Sequence, residues 1–260
     1  MWSAVVPAWN EEGRIGKVLK QLADLPLNKI IVIANGCQDN TIEEINQFGD
    51  SRLDLHSFSS KLGVDLPRAI GAKIALDYHA QGVLFIDGDM TGAPKNQLLQ
   101  LMTGIEKGLD LALTNCYPFI PYRYYHAAIV CHFRARVNRE LGLFQKLGLA
   151  SPSHGPQGVS KKFLETIPLR ELAIPPVTLA LAKQSHLQIG VTARIPSHQL
   201  ESHFRGTRHE EMIFQTIIGD HLEALSLIKG KPRNRFYQGD RVLGYHPERR
   251  FDLLEAFLAL

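Results

Sequence analysis

Cysteine is scarce in this sequence, and long apolar runs are absent. Three cysteines, Cys37, Cys116 and Cys131, lie far apart along 260 residues and form no C-x-x-C pair. An odd and sparse count argues against a disulfide scaffold and fits a reducing compartment. No stretch approaches 18 apolar residues, and the N-terminus lacks the basic and apolar segments of a signal peptide. We therefore expect a cytoplasmic protein with no transmembrane span.

An excess of charge is also lacking, as are several common catalytic motifs. With 29 basic and 26 acidic side chains the net charge is only +3, which does not favour nucleic acid as a partner. The sequence has no G-x-G-x-x-G after its first predicted strand, no G-x-x-x-x-G-K-[ST], no H-E-x-x-H and no G-x-S-x-G. Ordinary dehydrogenases, P-loop NTPases, zincins and α/β-hydrolases are thereby disfavoured.

The first half alternates short β-rich runs with segments of helical spacing. Apolar residues after Glu11 recur with a helical period, and further helices are predicted to begin near Asn40, Pro67 and Pro94. Strands are predicted at Ser3–Pro7, Lys29–Ala34, Leu53–Phe58, Val83–Ile86 and Leu109–Thr114. Such alternation predicts an α/β fold with a mostly parallel sheet flanked by helices. In such sheets ligands bind outside the carboxyl ends of the strands.

The second half is less regular. It contains the aromatic and proline-rich segment Tyr117–Tyr125, a long predicted helix over His126–Leu147, a loop over Ser153–Gly158 and a strand over Gln188–Ile195. We expect one domain over residues 1–230, with a nucleotide-binding half (1–115) and a helical acceptor half (116–230). Residues 231–260 are predicted to form a C-terminal extension.

Asp87-Gly88-Asp89 is the sharpest local feature. Two carboxylates separated by a glycine follow the buried strand Val83–Ile86 and can hold a divalent cation through hard oxygen ligands. Such an ion bridges a diphosphate and stabilises the charge on a departing nucleotide. The alternative is a solvated turn, which has no need to lie at the binding edge of a sheet.

Four segments in order resemble the motifs of family 2 glycosyltransferases. Val5-Val6-Pro7-Ala8-Trp9-Asn10-Glu11-Glu12 resembles their opening strand and P-x-Y-N-E signature. The run from Ile31 to Thr41 is similar to their second strand and nucleotide loop, and the run from Gly63 to Lys73 to their Ala-Arg-Asn-x-Gly segment. Phe85-Ile86-Asp87-Gly88-Asp89 stands where their D-x-D motif follows.

The resemblance implies a GT-A fold and a glycosyltransferase that uses Mg²⁺ or Mn²⁺ and a nucleoside-diphosphate sugar. Asp87 and Asp89 would be metal ligands, with Asp89 the catalytic one. The implied donor-binding residues are Pro7, Ala8, Asn10, Glu11, Asn35, Asp39, Lys61, Gly63, Arg68, Asp87 and Gly88. Plainer interpretations stay open, since Glu11 can favour a helix N-terminus, Asp39 can cap a helix and Arg68 can be a surface cation.

The sequence departs from the family pattern at two places. Ala34-Asn35 replaces the usual acidic pair after the second strand, which leaves the choice of nucleotide open. The acidic general base of inverting members has no clear counterpart, and Glu171 is the candidate base. His203 is the candidate third metal ligand, and His154 and Gln157 are assigned to the sugar pocket.

Two alternatives to a glycosyltransferase remain at this point: a nucleotidyltransferase, and a GT-A-like protein that binds a nucleotide sugar without turning it over. The acceptor is equally open between a small molecule, a saccharide and a lipid-linked molecule. Tyr122, Arg123, Tyr124 and Tyr125 either belong to the core and a solvated helix, line an acceptor groove or make peripheral contact with a membrane.

Overall fold

A seven-stranded sheet forms the centre of the computed structural model, which describes residues 1–260. The strand order is β3-β2-β1-β4-β6-β5-β7. The strands are β1 (Trp2–Ala8), β2 (Lys29–Asn35), β3 (Leu53–Phe58), β4 (Gly82–Phe85), β5 (Leu111–Asn115), β6 (Gln157–Ser160) and β7 (Ile189–Arg194). A separate hairpin pairs β8 (Phe236–Tyr237) with β9 (Asp240–Arg241).

Ten α-helices cover the sheet. They are α1 (Ile15–Ala23), α2 (Thr41–Gln47), α3 (Leu66–Asp77), α4 (Lys95–Glu106), α5 (Tyr125–Glu140), α6 (Phe144–Leu147), α7 (Lys161–Thr166), α8 (Pro175–Gln184), α9 (Thr207–Ile228) and α10 (Phe251–Leu258). Short 3₁₀ turns cover Leu169–Ala173, Ser197–Leu200 and His246–Glu248. None of the helices is long and apolar enough to cross a membrane.

The parallel part of the sheet brings the predicted motifs to one edge. β1 lies between β2 and β4 and is parallel to both, and β3 continues the parallel order beyond β2. The carboxyl ends of β1, β2 and β4 therefore meet, which brings the segments after Ala8, Asn35 and Phe85 together. The expected α/β fold with a mostly parallel sheet is confirmed.

The structure corrects two expectations about the second half. The segment Ser153–Gly158 is not a loop throughout, because β6 begins at Gln157 and pairs antiparallel with both β4 and β5. Four residues are too few to carry a visible alternation of apolar and polar side chains. The predicted helix His126–Leu147 is also two helices, α5 and α6, separated at Gly142, whose positive φ of 67° ends the first.

Alternate residues of β1 point into two different apolar layers. Val5 belongs to the layer shared with α3, α8 and α9, whereas Ala4 and Val6 belong to the layer shared with α1 and α4. The C-terminal segment joins the first layer, since Leu254 of α10 is fully buried in it.

Buried charges attach this C-terminal segment to α9. Asp220 of α9 accepts hydrogen bonds from Arg235 at 2.7 Å and from Arg249 at 2.7 and 2.8 Å. All three residues are buried. Arg249 also reaches Asp65, at 3.4 Å, in the segment that leads into α3. The C-terminal segment is thus tied to the edge of the sheet where the motifs lie.

We predict that Asp220→Asn lowers the free energy of unfolding at pH 7 by about 3 kcal/mol, because it breaks a buried ion pair. Burial raises the pKa of Asp220, but the two guanidinium groups outweigh it and hold this pKa below the ordinary 3.8. The stabilisation is fully present above pH 3.8 and is lost as the pH falls through the lower folded-state pKa. The difference between variant and wild type should therefore shrink in acid.

Urea unfolding at several pH values between 7 and 3 measures the difference in unfolding free energy between Asp220→Asn and wild type. Asp252→Asn is the control, because Asp252 pairs with Arg250 at the exposed surface. An Asp220→Asn variant as stable as this control would contradict the interpretation.

Candidate active site

A cleft opens at the carboxyl edge of β1, β2 and β4. Nine of the residues predicted from sequence line it: Pro7, Ala8, Glu11, Asn35, Lys61, Gly63, Arg68, Asp87 and Asp89. They come from five separate stretches of the chain, and the parallel strand order brings them together.

Arg68 and Asp87 form the ion pair at the base of this cleft. The guanidinium of Arg68 donates to both carboxylate oxygens of Asp87, at 2.8 and 2.9 Å. Arg68 is only 6% exposed and also lies 3.7 Å from Asp65. Burial disfavours its charge, but Asp87 and Asp65 raise the pKa of Arg68 above its ordinary value. Arg68 is therefore not a surface cation but a buried partner of the first aspartate.

Glu11 is a buried acid of the cleft. It accepts a hydrogen bond from Arg14 at 2.9 Å and pairs with Arg205, which reaches it from the segment before α9. Burial raises the pKa of Glu11 to about 7, and Asp89 acts in the same direction, while Arg14 and Arg205 oppose them. Glu11 thus holds Arg205, which lies 194 positions later in the sequence, over the cleft.

Asp89 differs from its neighbours because no cationic side chain pairs with it. Glu11, Asp65 and Asp87 each have a guanidinium within 4.0 Å, whereas the carboxylate of Asp89 accepts only the backbone N–H of His203, at 3.2 Å. Burial raises the pKa of Asp89, and the neighbouring Asp87 raises it further. Two adjacent carboxylates, one without a counter-charge, form a donor set that fits a divalent cation.

Trp9 gives the cleft an aromatic wall. The ammonium of Lys61 lies 3.7 Å from its ring centroid and the guanidinium of Arg205 lies 4.8 Å from it. His209 lies beside the same ring, at 6.0 Å between centroids, and its Nδ1 is 2.9 Å from the hydroxyl of Tyr245. Lys61, Arg68 and Arg205 therefore place three cations around a cleft with a flat apolar face.

Asn35 holds the loop after β3. Its Oδ1 accepts the N–H of Leu62 at 2.6 Å, and its Nδ2 donates to the carbonyl of Gly63 at 3.2 Å. Gly63 has a φ of +103°, and a Cβ there would lie 2.8 Å from Cα of Arg249. The amide of Asn35 is thus used to shape the rim of the cleft, and glycine lets the C-terminal segment pack against this rim.

Asn10 and Asp39 hold two loops together rather than lining the cleft. Asn10 Oδ1 accepts the N–H of Gln38 at 2.8 Å. Asp39 accepts the N–H groups of Glu12 and Thr41, both at 3.1 Å, and the hydroxyl of Thr41 at 2.5 Å. Asp39 precedes the N-cap residue Asn40 and satisfies the first N–H group of α2, that of Thr41.

Four further predicted residues lie outside the lining of the cleft. Glu171 is bound by Arg233 at 2.8 Å, in the segment before α8. His154 contacts Ser197 at 3.3 Å, and Gln157 is buried on β6 with no hydrogen-bond partner for its Oε1. His203 reaches Asp89 through its backbone, while its side chain is exposed.

Several lining residues were not assigned to the site from sequence. They are Trp9, Val64, Asp65, Pro67, Arg205, His209, Ile213, Tyr245 and Glu248. Trp9 lies within the first motif, and Asp65 and Pro67 lie within the third. The motifs therefore offered a reason to assign these three residues to the site. Tyr245 and Glu248 belong to the predicted C-terminal extension, where no motif marks them.

A second acidic cluster is already filled by a cation. Asp220, Glu223 and His246 lie close enough together to suggest a metal site. The guanidinium of Arg235 lies among them, at 2.7, 2.8 and 3.0 Å. This cluster is therefore an ion-pair network, and the donor set at Asp87 and Asp89 is the one open to a ligand.

The model of Glycosyl transferase family 2 matches residues 3–165 of the chain. Two uncharacterized proteins of Methanocaldococcus jannaschii are each 32% identical, one over 95 residues and the other over 109. These matches cover 35% and 42% of this chain and 41% and 44% of the relatives, so the chain spans less than half the length of the curated relatives it matches.

Among solved structures the chain is similar to glucosyl-3-phosphoglycerate synthase from Mycobacterium tuberculosis. The complex of that enzyme with Mn²⁺, UDP and glucosyl-3-phosphoglycerate is 18% identical, with a TM-score of 0.65 over 90% of this chain and 82% of that one. Its complex with Mg²⁺ and UDP is also 18% identical, with a TM-score of 0.60 over 90% and 81%. At this identity the likeness establishes a shared GT-A fold.

We predict that Gly88→Ala disturbs the two aspartates. An added Cβ would lie 3.0 Å from the carbonyl oxygen of Pro7, 3.2 Å from Cδ1 of Ile15 and 3.3 Å from Cγ of Glu11. Overpacking of this kind costs about 1–3 kcal/mol of unfolding free energy, and it should also weaken the binding of Mn²⁺.

Chemical denaturation and a Mn²⁺ titration measure the two effects. Gly16→Ala is the matched control, since nothing lies within 4 Å of its added Cβ and alanine favours the helix α1. Equal stability and equal Mn²⁺ affinity in the two variants would refute the role of close packing at Gly88.

Proposed function

Because the chain belongs to glycosyl transferase family 2, we propose that it transfers a sugar from a nucleoside-diphosphate sugar to an acceptor with the help of Mg²⁺ or Mn²⁺. The observation that carries the proposal is the carboxylate of Asp89, which is partly buried at the end of the cleft and has no cationic partner.

Asp89 and Asp87 are the residues that would hold the metal ion. When bound, the ion supplies positive charge against the diphosphate that leaves with the nucleotide. Asp87 is kept in place by the bidentate contact with Arg68, so one carboxylate of the pair is fixed while the other is free to bind. His203 stays a prediction as a third ligand.

The cations of the cleft fit the diphosphate of the donor. Arg205 approaches from the segment before α9 and is held by Glu11. A phosphate is a stronger partner for a guanidinium than a carboxyl with a pKa of about 7, since that carboxyl is partly protonated at neutral pH. We infer that Arg205 passes from Glu11 to the diphosphate when the donor binds.

Trp9 and Asn35 surround the place for the nucleoside. The ring of Trp9 forms an aromatic wall, and the loop that Asn35 organises lines the cleft with Gly63 and Val64. Solved structures of similar fold include complexes with UDP and with UDP-glucose, and we propose UDP-sugars as the donor class. Glu171 remains a predicted general base, although in the structure its carboxylate pairs with Arg233 at 2.8 Å.

We predict a metal-dependent rise in melting temperature with one class of nucleotide sugar. The measurement is a thermal-shift series with UDP-, GDP-, dTDP- and ADP-glucose, each with and without Mn²⁺. A ligand at 100 times its Kd stabilises the folded state by about 2.7 kcal/mol, which amounts to several degrees. Asp89→Asn removes the free charge at nearly constant size and should abolish the Mn²⁺-dependent part.

Asp77→Asn is the control, because Asp77 pairs with Lys73 on the surface of α3. Lack of a shift with every nucleotide sugar would reject the proposal. Mass spectrometry of the donor incubated with an acceptor series then separates transfer from binding alone.

A further inference from the structure

Arg134 of α5 is a buried cation without an acidic partner. It is 3% exposed, and none of the ion pairs in the protein involves it. The other buried arginines, Arg68, Arg235 and Arg249, each have a carboxylate at 2.7 or 2.8 Å. The Nε of Arg134 also has no hydrogen-bond partner. This is an unusual environment, because an isolated charge is costly to remove from water.

The surroundings of Arg134 carry no negative charge at neutral pH. Burial raises the pKa of the Cys116 thiol to about 11 and also raises that of Cys131, so both thiols stay protonated. Burial, with smaller contributions from Arg134 and Arg68, lowers the pKa of His154 to about 3, so this imidazole is neutral. Burial also lowers the pKa of the nearby His221 to about 4, so this imidazole is neutral too. The ring of Tyr117 lies beside the guanidinium, with 5.3 Å between its centroid and the guanidinium carbon.

Tyr117 and His154, which lie near this guanidinium, both contact Ser197. The hydroxyl of Tyr117 lies 3.0 Å from Oγ of Ser197, and Nε2 of His154 lies 3.3 Å from the same atom. All three side chains are partly exposed. They come from the end of β5, the loop before β6 and the turn after β7, and they form what we call the Arg134 cluster together with Arg134.

The Arg134 cluster adjoins the donor cleft without belonging to its lining. Arg68 donates to the carbonyl of Pro152 at 3.2 Å, in the loop that also carries His154. Asn138, one turn after Arg134 on α5, donates to the carbonyl of Ala150 at 3.0 Å at the start of this loop. The loop thus lies between Arg68, which serves the donor side, and α5, which carries Arg134.

We propose that the acceptor carries an oxyanion group, phosphate or carboxylate, and that Arg134 binds it with the help of Tyr117 and Ser197. The planar fork of a guanidinium matches both anions, and the two hydroxyls add donors at the surface. The diphosphate of the donor has its own cations in Lys61, Arg68 and Arg205, none of which belongs to α5. This inference rests on the proposed glycosyltransferase function and narrows its acceptor class.

The test compares the binding of small anions by wild type, Arg134→Met and Arg136→Met. Calorimetry in the presence of UDP and Mn²⁺ measures Kd for 3-phosphoglycerate, glycerol 3-phosphate, glycerate and uncharged glycerol. Arg136 is exposed two residues further along α5 and provides the matched control. Wild type and Arg136→Met should bind at least one anionic compound and not glycerol, and Arg134→Met should bind it at least about tenfold more weakly.

Comparing glycerol 3-phosphate with glycerate distinguishes a site for phosphate from a site for carboxylate.

Methionine at position 134 removes an unpaired charge at similar length and should leave the melting temperature unchanged or higher when no anion is present. Tyr117→Phe is a second variant that keeps the ring beside Arg134, and it should weaken anion binding several-fold through loss of one hydroxyl.

Three results would overturn the proposal: equal anion binding by wild type and Arg134→Met, binding of UDP and anion lost in parallel, or transfer only to uncharged acceptors. If Arg134→Met does not fold, unchanged anion binding by Tyr117→Phe would overturn the proposal instead. Normal UDP binding with no anion binding refutes this inference alone. Anion binding that depends on Arg134 in a protein unable to bind any nucleotide sugar refutes the proposed function instead.

Discussion

The ion pair between Arg68 and Asp87 is the contact on which the site depends. Arg68 lies in the buried first turn of α3, and Asp87 follows the central strand β4. Their bidentate contact fixes the direction of the first aspartate and leaves the second, Asp89, facing the cleft. Arg68 can occupy this place because Asp65, one turn earlier, shares its charge at 3.7 Å. This second carboxylate offsets part of the cost of burying the guanidinium.

Asp65 also joins the site to the last part of the chain. Arg249 approaches Asp65 at 3.4 Å and Asp220 at 2.7 Å, and Asp220 in turn binds Arg235. Alternating charges therefore run from α9 through the C-terminal segment to the base of the cleft. Residues 231–260 were expected as an extension, but in the structure they complete the rim, where Tyr245 and Glu248 line the cleft. Their packing gives a physical reason for Gly63, whose Cβ would collide with Arg249.

Sequence reasoning succeeded where a short segment carries both the strand and its polar end. Val83–Ile86 followed by two aspartates predicts a buried strand that ends at a binding edge, and β4 with Asp87 and Asp89 matches this. It failed where partners are far apart in sequence. The pairing of Glu11 with Arg205 spans 194 residues, and no periodicity or motif encodes it. β6 was missed for a related reason, because an antiparallel strand of four residues is specified by its two neighbours rather than by its own pattern.

The charged groups that are buried or partly buried are of two kinds: those with an ionic partner and those without one. Most buried ionic groups form closed networks, such as Arg235 with Asp220 and Glu223, and these stabilise the fold without needing a ligand. The partly buried Asp89 and the buried Arg134 are the exceptions, one of each sign, since neither takes part in an ion pair. Arg134 lies near His154, in the loop whose Pro152 carbonyl accepts a hydrogen bond from Arg68. On the proposals made for Asp89 and Arg134, a metal ion that binds the donor diphosphate and an anionic acceptor would neutralise these two charges.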